Sequence, residues 1–233
     1  MSDPEFAESQ NGTPPAAGRT PGLLARLYCE EWDAWRKHYK KYFKYAARTL
    51  GAGFVVGFVY FMLRPDQEKK ALEFVIRALK DINLQGSPLV LALTLFYHNA
   101  RASVVAVAAG VVPFLFLPIL DPLLNGGVLG LLVSVTKHQG LDVPRLVLTK
   151  ILPHGVFELT AVLYSTSLGL YLSAGMGKKA IAAWNKRTNK PPAEVAVEPE
   201  SLARNVFRSF FLVVLPLLLV AAFIEGFITP SLR

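Results

Sequence analysis

The chain has 233 residues, 52% of them hydrophobic and 18% charged, and a formal net charge of +8. That balance excludes a disordered polymer, which combines low hydrophobicity with high charge. The apolar residues gather into runs such as 50–63, 102–120 and 210–224 holding one charge or none, which points to lipid as the solvent and away from a soluble enzyme.

Residues 1–22 are polar and rich in Pro, Gly and Ala. They lack the basic start and apolar stretch of a cleavable leader and read as a disordered tail, its opening Met-Ser-Asp-Pro-Glu-Phe resembling vector-derived sequence. In 23–45, Leu24, Leu27, Trp35, Tyr39 and Tyr42 recur at helical spacing among Arg36, Lys37, Lys40, Lys41 and Lys44. This predicts an interfacial amphipathic helix. Basic and aromatic residues beside a span anchor to anionic lipid more readily than to nucleic acid. Cys29, the single cysteine, excludes an internal disulfide framework and is expected as a small buried apolar residue.

Residues 46–233 read as the membrane domain, with five spans at 46–63, 102–120, 122–137, 155–175 and 206–229. The third, about 16 residues and about 24 Å long, is short for a core of about 30 Å. Between the first two, 66–83 sets Leu72, Val75, Ile76, Leu79 and Ile82 against Lys69, Lys70, Glu73, Arg77 and Lys80, a second interfacial amphipathic helix. The apolar stretch at 88–98 suits a half-helix better than a crossing, although a true crossing would make six spans. Pro113, Pro118 and Pro216 should kink their spans, and 187–200, with Pro191, Pro192 and Pro199, reads as a linker. Lys and Arg in the flanking loops place the N-terminus in the cytoplasm. The fold class expected is an all-α polytopic integral membrane helix bundle.

Ionisable groups within spans should face protein or water, because a charge at the bilayer centre costs on the order of 2.5–3.5 kcal/mol even on gentler scales. His154 and Glu158 lie four apart, on one helical face that continues as Ala161, Ser165, Gly169 and Ser173. Small residues at every fourth position mark close helix contact. Antiparallel spans then bring His154, Glu158, Glu225, His98, Asn99 and Arg101 to similar depth, toward the exterior, with Asn125 at the opposite end. Asn125, Gly126, Gly130, Gly155, Ser165 and Gly169 are expected in helix packing. Gly51 and Gly57 look like a further small-residue face, and such surplus surface suggests a homo-oligomer. His38 and His138 sit in polar surroundings and are expected to be solvated.

Several motifs resemble one family. They are His98-Asn99-Ala100-Arg101, Leu124-Asn125-Gly126 with Gly130 following, Ile151-Leu152-Pro153-His154-Gly155-Val156-Phe157-Glu158, and the closing Phe223-Ile224-Glu225-Gly226-Phe227-Ile228-Thr229-Pro230. Together, over roughly 46–230, they resemble the stage II sporulation protein M family, which commonly has two Asn where this chain has His98-Asn99. The resemblance implies a small multispanning protein of the bacterial cell membrane. It further implies kinship with a sporulation member that holds a peptidoglycan-hydrolysing pair during engulfment.

Three functions fit these residues. One is a non-enzymatic scaffold whose polar cluster fixes helix packing, with Glu158 paired to Arg101 or His154, and whose surface recruits envelope partners. Another is transport or lipid handling through His154, Glu158 and Glu225. The last is an intramembrane hydrolase with a metal held by His154, Glu158, Glu225 and His98, although His-x-x-x-Glu is not the usual zinc-protease spacing. The scaffold is favoured, with no cofactor and no catalytic residue expected and the metal left open.

Overall fold

The structure, a computed structural model, describes residues 22–78, 87–188 and 199–229. The polar tail up to residue 21, residues 79–83 of the second amphipathic segment and most of the 187–200 linker lie outside the described residues. Six helices follow in order: α1 (Leu23–Leu63), α2 (Pro65–Ala78), α3 (Pro88–Ala109), α4 (Leu117–His138), α5 (Val143–Arg187) and α6 (Leu202–Ile228). All but α2 are long and apolar enough to cross a membrane. Among the described residues there is no strand, so the chain is an all-α bundle with five candidate spans.

The closest pairing is α1 against α4, and glycine makes it possible. A Cβ at Gly126 would fall on the Leu50 carbonyl, and one at Gly130 would stand 2.6 Å from the Phe54 carbonyl. Matching residues rise in number together along the two helices, so α1 and α4 run parallel. The same reasoning sets α5 parallel to α3, where Gly169 meets Ala106, and antiparallel to α6, where Gly175 meets Leu202. Gly57, Ser165 and Gly169 are therefore consumed inside the bundle, and of these small residues Gly51 has open space beside it. Leu168, Val214, Leu218 and Tyr39 fill the core. Val55, Val56, Leu93, Val105, Leu219 and Phe223 face outward, as lipid-facing residues do.

Two spans differ from the sequence expectation. The stretch at 88–98 is no half-helix but the first part of α3, which stops at Ala109 rather than reaching 120. Ser87 caps it, its hydroxyl accepting from the Val90 amide, and Pro88 sits at the first turn, where the missing N–H costs nothing. Beyond Gly110 the chain turns through Phe114 and Phe116, both at positive φ, and the ring of Phe114 lies beside Gly177. Pro113 thus belongs to a turn and Pro118 to the first turn of the next helix, so neither kinks a span.

The fourth span begins not at 155 but at Val143, where the Asp142 carboxylate accepts from the Arg145 amide. Pro153 is inside α5. A proline there removes one hydrogen bond and clashes with the carbonyl four residues back. The chain relieves both with a wide π-type turn at Val147–Ile151. Pro216 is treated alike, two residues beyond a π-type turn at Phe210–Val214.

The 23–45 segment is continuous with the first span rather than a separate helix. Glu31, Ala34 and Tyr39 on it are buried against the bundle, while Arg36, Lys37, Lys40, Lys41 and Lys44 stay exposed. Cys29 is exposed, not buried, because it lies on the outward side of that segment.

Candidate functional site

Three helices contribute to one polar cluster. In α5 the π-type turn ahead of Pro153 sets the phase of His154 and Glu158, which share a face at i and i+4. In α6 a second π-type turn, Ile224–Ile228, carries Glu225; such turns recur at functional sites. Gly226, next in line, lets α6 approach α3, since a Cβ there would meet the Pro88 carbonyl at 2.7 Å and the Ala92 Cβ at 2.8 Å. From α3 comes Asn99, one turn from Leu95.

Nδ1 of His154 lies 2.6 Å from Oε2 of Glu225, and neither atom has a hydrogen-bond partner elsewhere among the described residues. The Asn99 side chain shares the cavity of the Glu158 carboxylate. His154, Glu158, Glu225 and Asn99 line a cavity of about 80 Å³, closed by Leu95, Ala221 and Ala222. That is room for a few waters and far below the roughly 300–1,000 Å³ of small-molecule sites. Neither Lys nor Arg lines it. Among the described residues no three His, Cys, Asp or Glu side chains converge as metal ligands, so the geometry gives the metal-hydrolase reading no support.

Of the six residues expected in the cluster, the structure gathers four and leaves out two. Arg101 is exposed and pairs with no carboxylate among the described residues. On a helix it is about 200° around from Asn99, so it cannot share a face with it. His98 is turned toward Tyr97, with ring centroids 6.2 Å apart. The place of Asn99 along its helix also differs from expectation. With α3 beginning at Pro88, Asn99 lies about 16 Å along a helix of about 33 Å, near the middle of α3 rather than at its start. Asn125 is at the opposite end of the fold, as expected, its amide donating to the Asp121 carbonyl and carboxylate at 2.9 and 3.1 Å. Gly155 is buried, yet a Cβ there would meet only Ile151, at 3.5 Å, so it makes no close helix approach.

Two further networks went unnoticed in the sequence. Glu68 of α2 accepts from the Ser134 hydroxyl and lies 2.9 Å from Nδ1 of His138, fastening α2 to α4; His138 is exposed, as a solvated histidine would be, and is paired as well. At the other end Glu31 accepts from the Tyr164 hydroxyl at 2.7 Å and from Arg208 Nε at 3.3 Å. Arg208 also reaches Glu30 at 3.1 Å, and Ser209 donates to the Tyr39 hydroxyl at 3.1 Å. His38 stacks obliquely on Tyr171, ring centroids 5.4 Å apart. No signal separates Glu31 or Glu68 from the solvated acids beside them in sequence; only the packing selects them.

The chain matches the family model described as stage II sporulation protein M over residues 46–230. Neither a curated protein nor a solved structure matches it significantly.

Proposed function

The chain belongs to the stage II sporulation protein M family, and from that premise we propose that it is a non-enzymatic subunit of a bacterial cell membrane. In this reading its N-terminus is cytoplasmic and it organises envelope proteins concerned with peptidoglycan. The observation that carries the proposal is the pairing within the His154, Glu158, Glu225 and Asn99 cluster around a cavity of about 80 Å³. A transporter of solutes or lipids needs a larger path, whereas polar groups that face one another across three helices fix their register. The exposed basic residues of 36–44 serve to hold anionic lipid.

The cavity favours one alternative over the others: two carboxylates and an imidazole with space for water are the parts of a proton or small-cation site. One experiment separates the two. Wild type, Glu158→Gln and Glu158→Asp are recovered from native membranes in mild detergent, and the same proteins are reconstituted in vesicles containing a pH-sensitive dye. The scaffold reading expects equal membrane levels, copurified wall hydrolase reduced at least fivefold by Glu158→Gln, and no proton flux. Unchanged recovery of partners, or proton flux abolished by Glu158→Gln, overturns it.

A further inference from the structure

Arg101 is the fourteenth residue of α3, about 20 Å from its start and about 12 Å from its end. A helix of 22 residues crosses a core of about 30 Å once, so this guanidinium emerges near mid-depth, too far from either surface to snorkel out easily. It is exposed and has no ion-pair partner among the described residues. A lipid-facing arginine at this depth costs on the order of 2.5–3.5 kcal/mol, a penalty removed when a second chain supplies the counter-charge.

The surface beside it is shaped to receive a helix. Val104 and Ala108 continue the Arg101 face at i+3 and i+7. With Val111, Leu172, Phe207 and Phe211 they border an apolar groove of about 430 Å³ between α3 and α6. A second copy of this chain does not complete the contact. Within the apolar parts of the spans, Asp121 is hydrogen-bonded by Asn125, Glu158 faces a cavity shared with Asn99 and Glu225 lies against His154, while Glu30, Glu31 and Asp33 sit in the first third of α1, ahead of its apolar stretch. A lipid acyl chain fills a groove but brings no charge, and its phosphate stays at the headgroup level.

We infer that the groove between α3 and α6 docks a transmembrane helix of a different protein, one carrying a carboxylate near mid-bilayer that pairs with Arg101. The planar guanidinium suits such a carboxylate, which it can hold through two parallel hydrogen bonds. This deepens the scaffold reading and rests on it, since it states what chemistry a recruited membrane partner presents.

The test uses the full chain in phosphatidylcholine vesicles and two fluorescent membrane-spanning Leu/Ala peptides, identical except for a central Glu or Gln, with association read by energy transfer. The Glu peptide should bind at least tenfold more tightly than its Gln twin. Arg101→Leu, which suits lipid better than arginine and so leaves the bundle folded, should reduce that preference to less than twofold. Arg101→Lys should keep part of it, and Ala108→Trp, which fills the groove, should weaken both peptides. A preference below twofold in the wild type, or one that survives Arg101→Leu, overturns the inference. So does a preference that disappears when half the lipid is replaced by phosphatidylglycerol, which would assign Arg101 to a lipid phosphate. If the peptides show no preference while Glu158→Gln still loses the copurified hydrolase, only the Arg101 route fails; if recovery of the hydrolase is indifferent to Glu158, the scaffold reading fails instead.

Discussion

A single hydrogen atom at position 126 decides how close α1 and α4 can come. Because a Cβ there falls on backbone rather than on a movable side chain, Gly126→Val should destabilise the bundle by about 1–3 kcal/mol. Gly51→Ala, with nothing within 4 Å, should be neutral or stabilising by up to about 1 kcal/mol. Reversible unfolding in mixed micelles measures both, and equal effects would contradict the assigned helix faces. At the other end of the fold, Glu31→Gln weakens the charged partner of Tyr164 and Arg208. A cost of about 1.5–3 kcal/mol is expected, together with faster tryptic cleavage at Arg36 and Lys37; an unchanged digestion rate would mean the segment is held some other way. Gly126 and Gly130 were legible in the sequence because their spacing of four is itself the signal. Glu31 and Glu68 were not, since each sits among other charges, nor was Arg208 at the edge of an apolar run, because burial depends on partners far away in sequence.

At the scale of elements, Pro153 and Pro216 show how local chemistry sets the site. Pro153 and Pro216 each follow a π-type turn by two residues, and a turn of that kind advances the helical phase of everything beyond it. Pro153→Ala restores the missing amide and should let 147–151 relax to regular helix. Amide exchange across 147–152 should slow at least tenfold, and His154 should rotate away from Glu225. Unaltered exchange would show that the wide turn has another cause. Element identity was readable from hydropathy, so five spans were expected and five candidates are present. The limits of the second span differ because His98, Asn99 and Arg101 divide the apolar stretch from 88 to 120 at a point where the helix continues. What ends it is the turn at Gly110–Phe116, and composition alone does not reveal it. That shift of α3 also explains why Arg101 was expected inside the cluster and lies outside it.

For the whole molecule, the parallel pairs α1 with α4 and α3 with α5, with α6 antiparallel to α5, bring residues from distant parts of the chain to one depth. The network of Glu68, Ser134 and His138 closes one end, that of Glu31, Tyr164 and Arg208 the other, and the His154 cluster lies between them. Convergence of Asn99, Glu158, His154 and Glu225 is the claim on which the functional reading stands. It is tested most directly by disulfide trapping in native membranes with Cys29→Ser as background. His154→Cys combined with Glu225→Cys should cross-link rapidly under mild oxidant, while His98→Cys combined with Glu225→Cys should not. Absence of the first cross-link, or equal yields from both pairs, would contradict the arrangement.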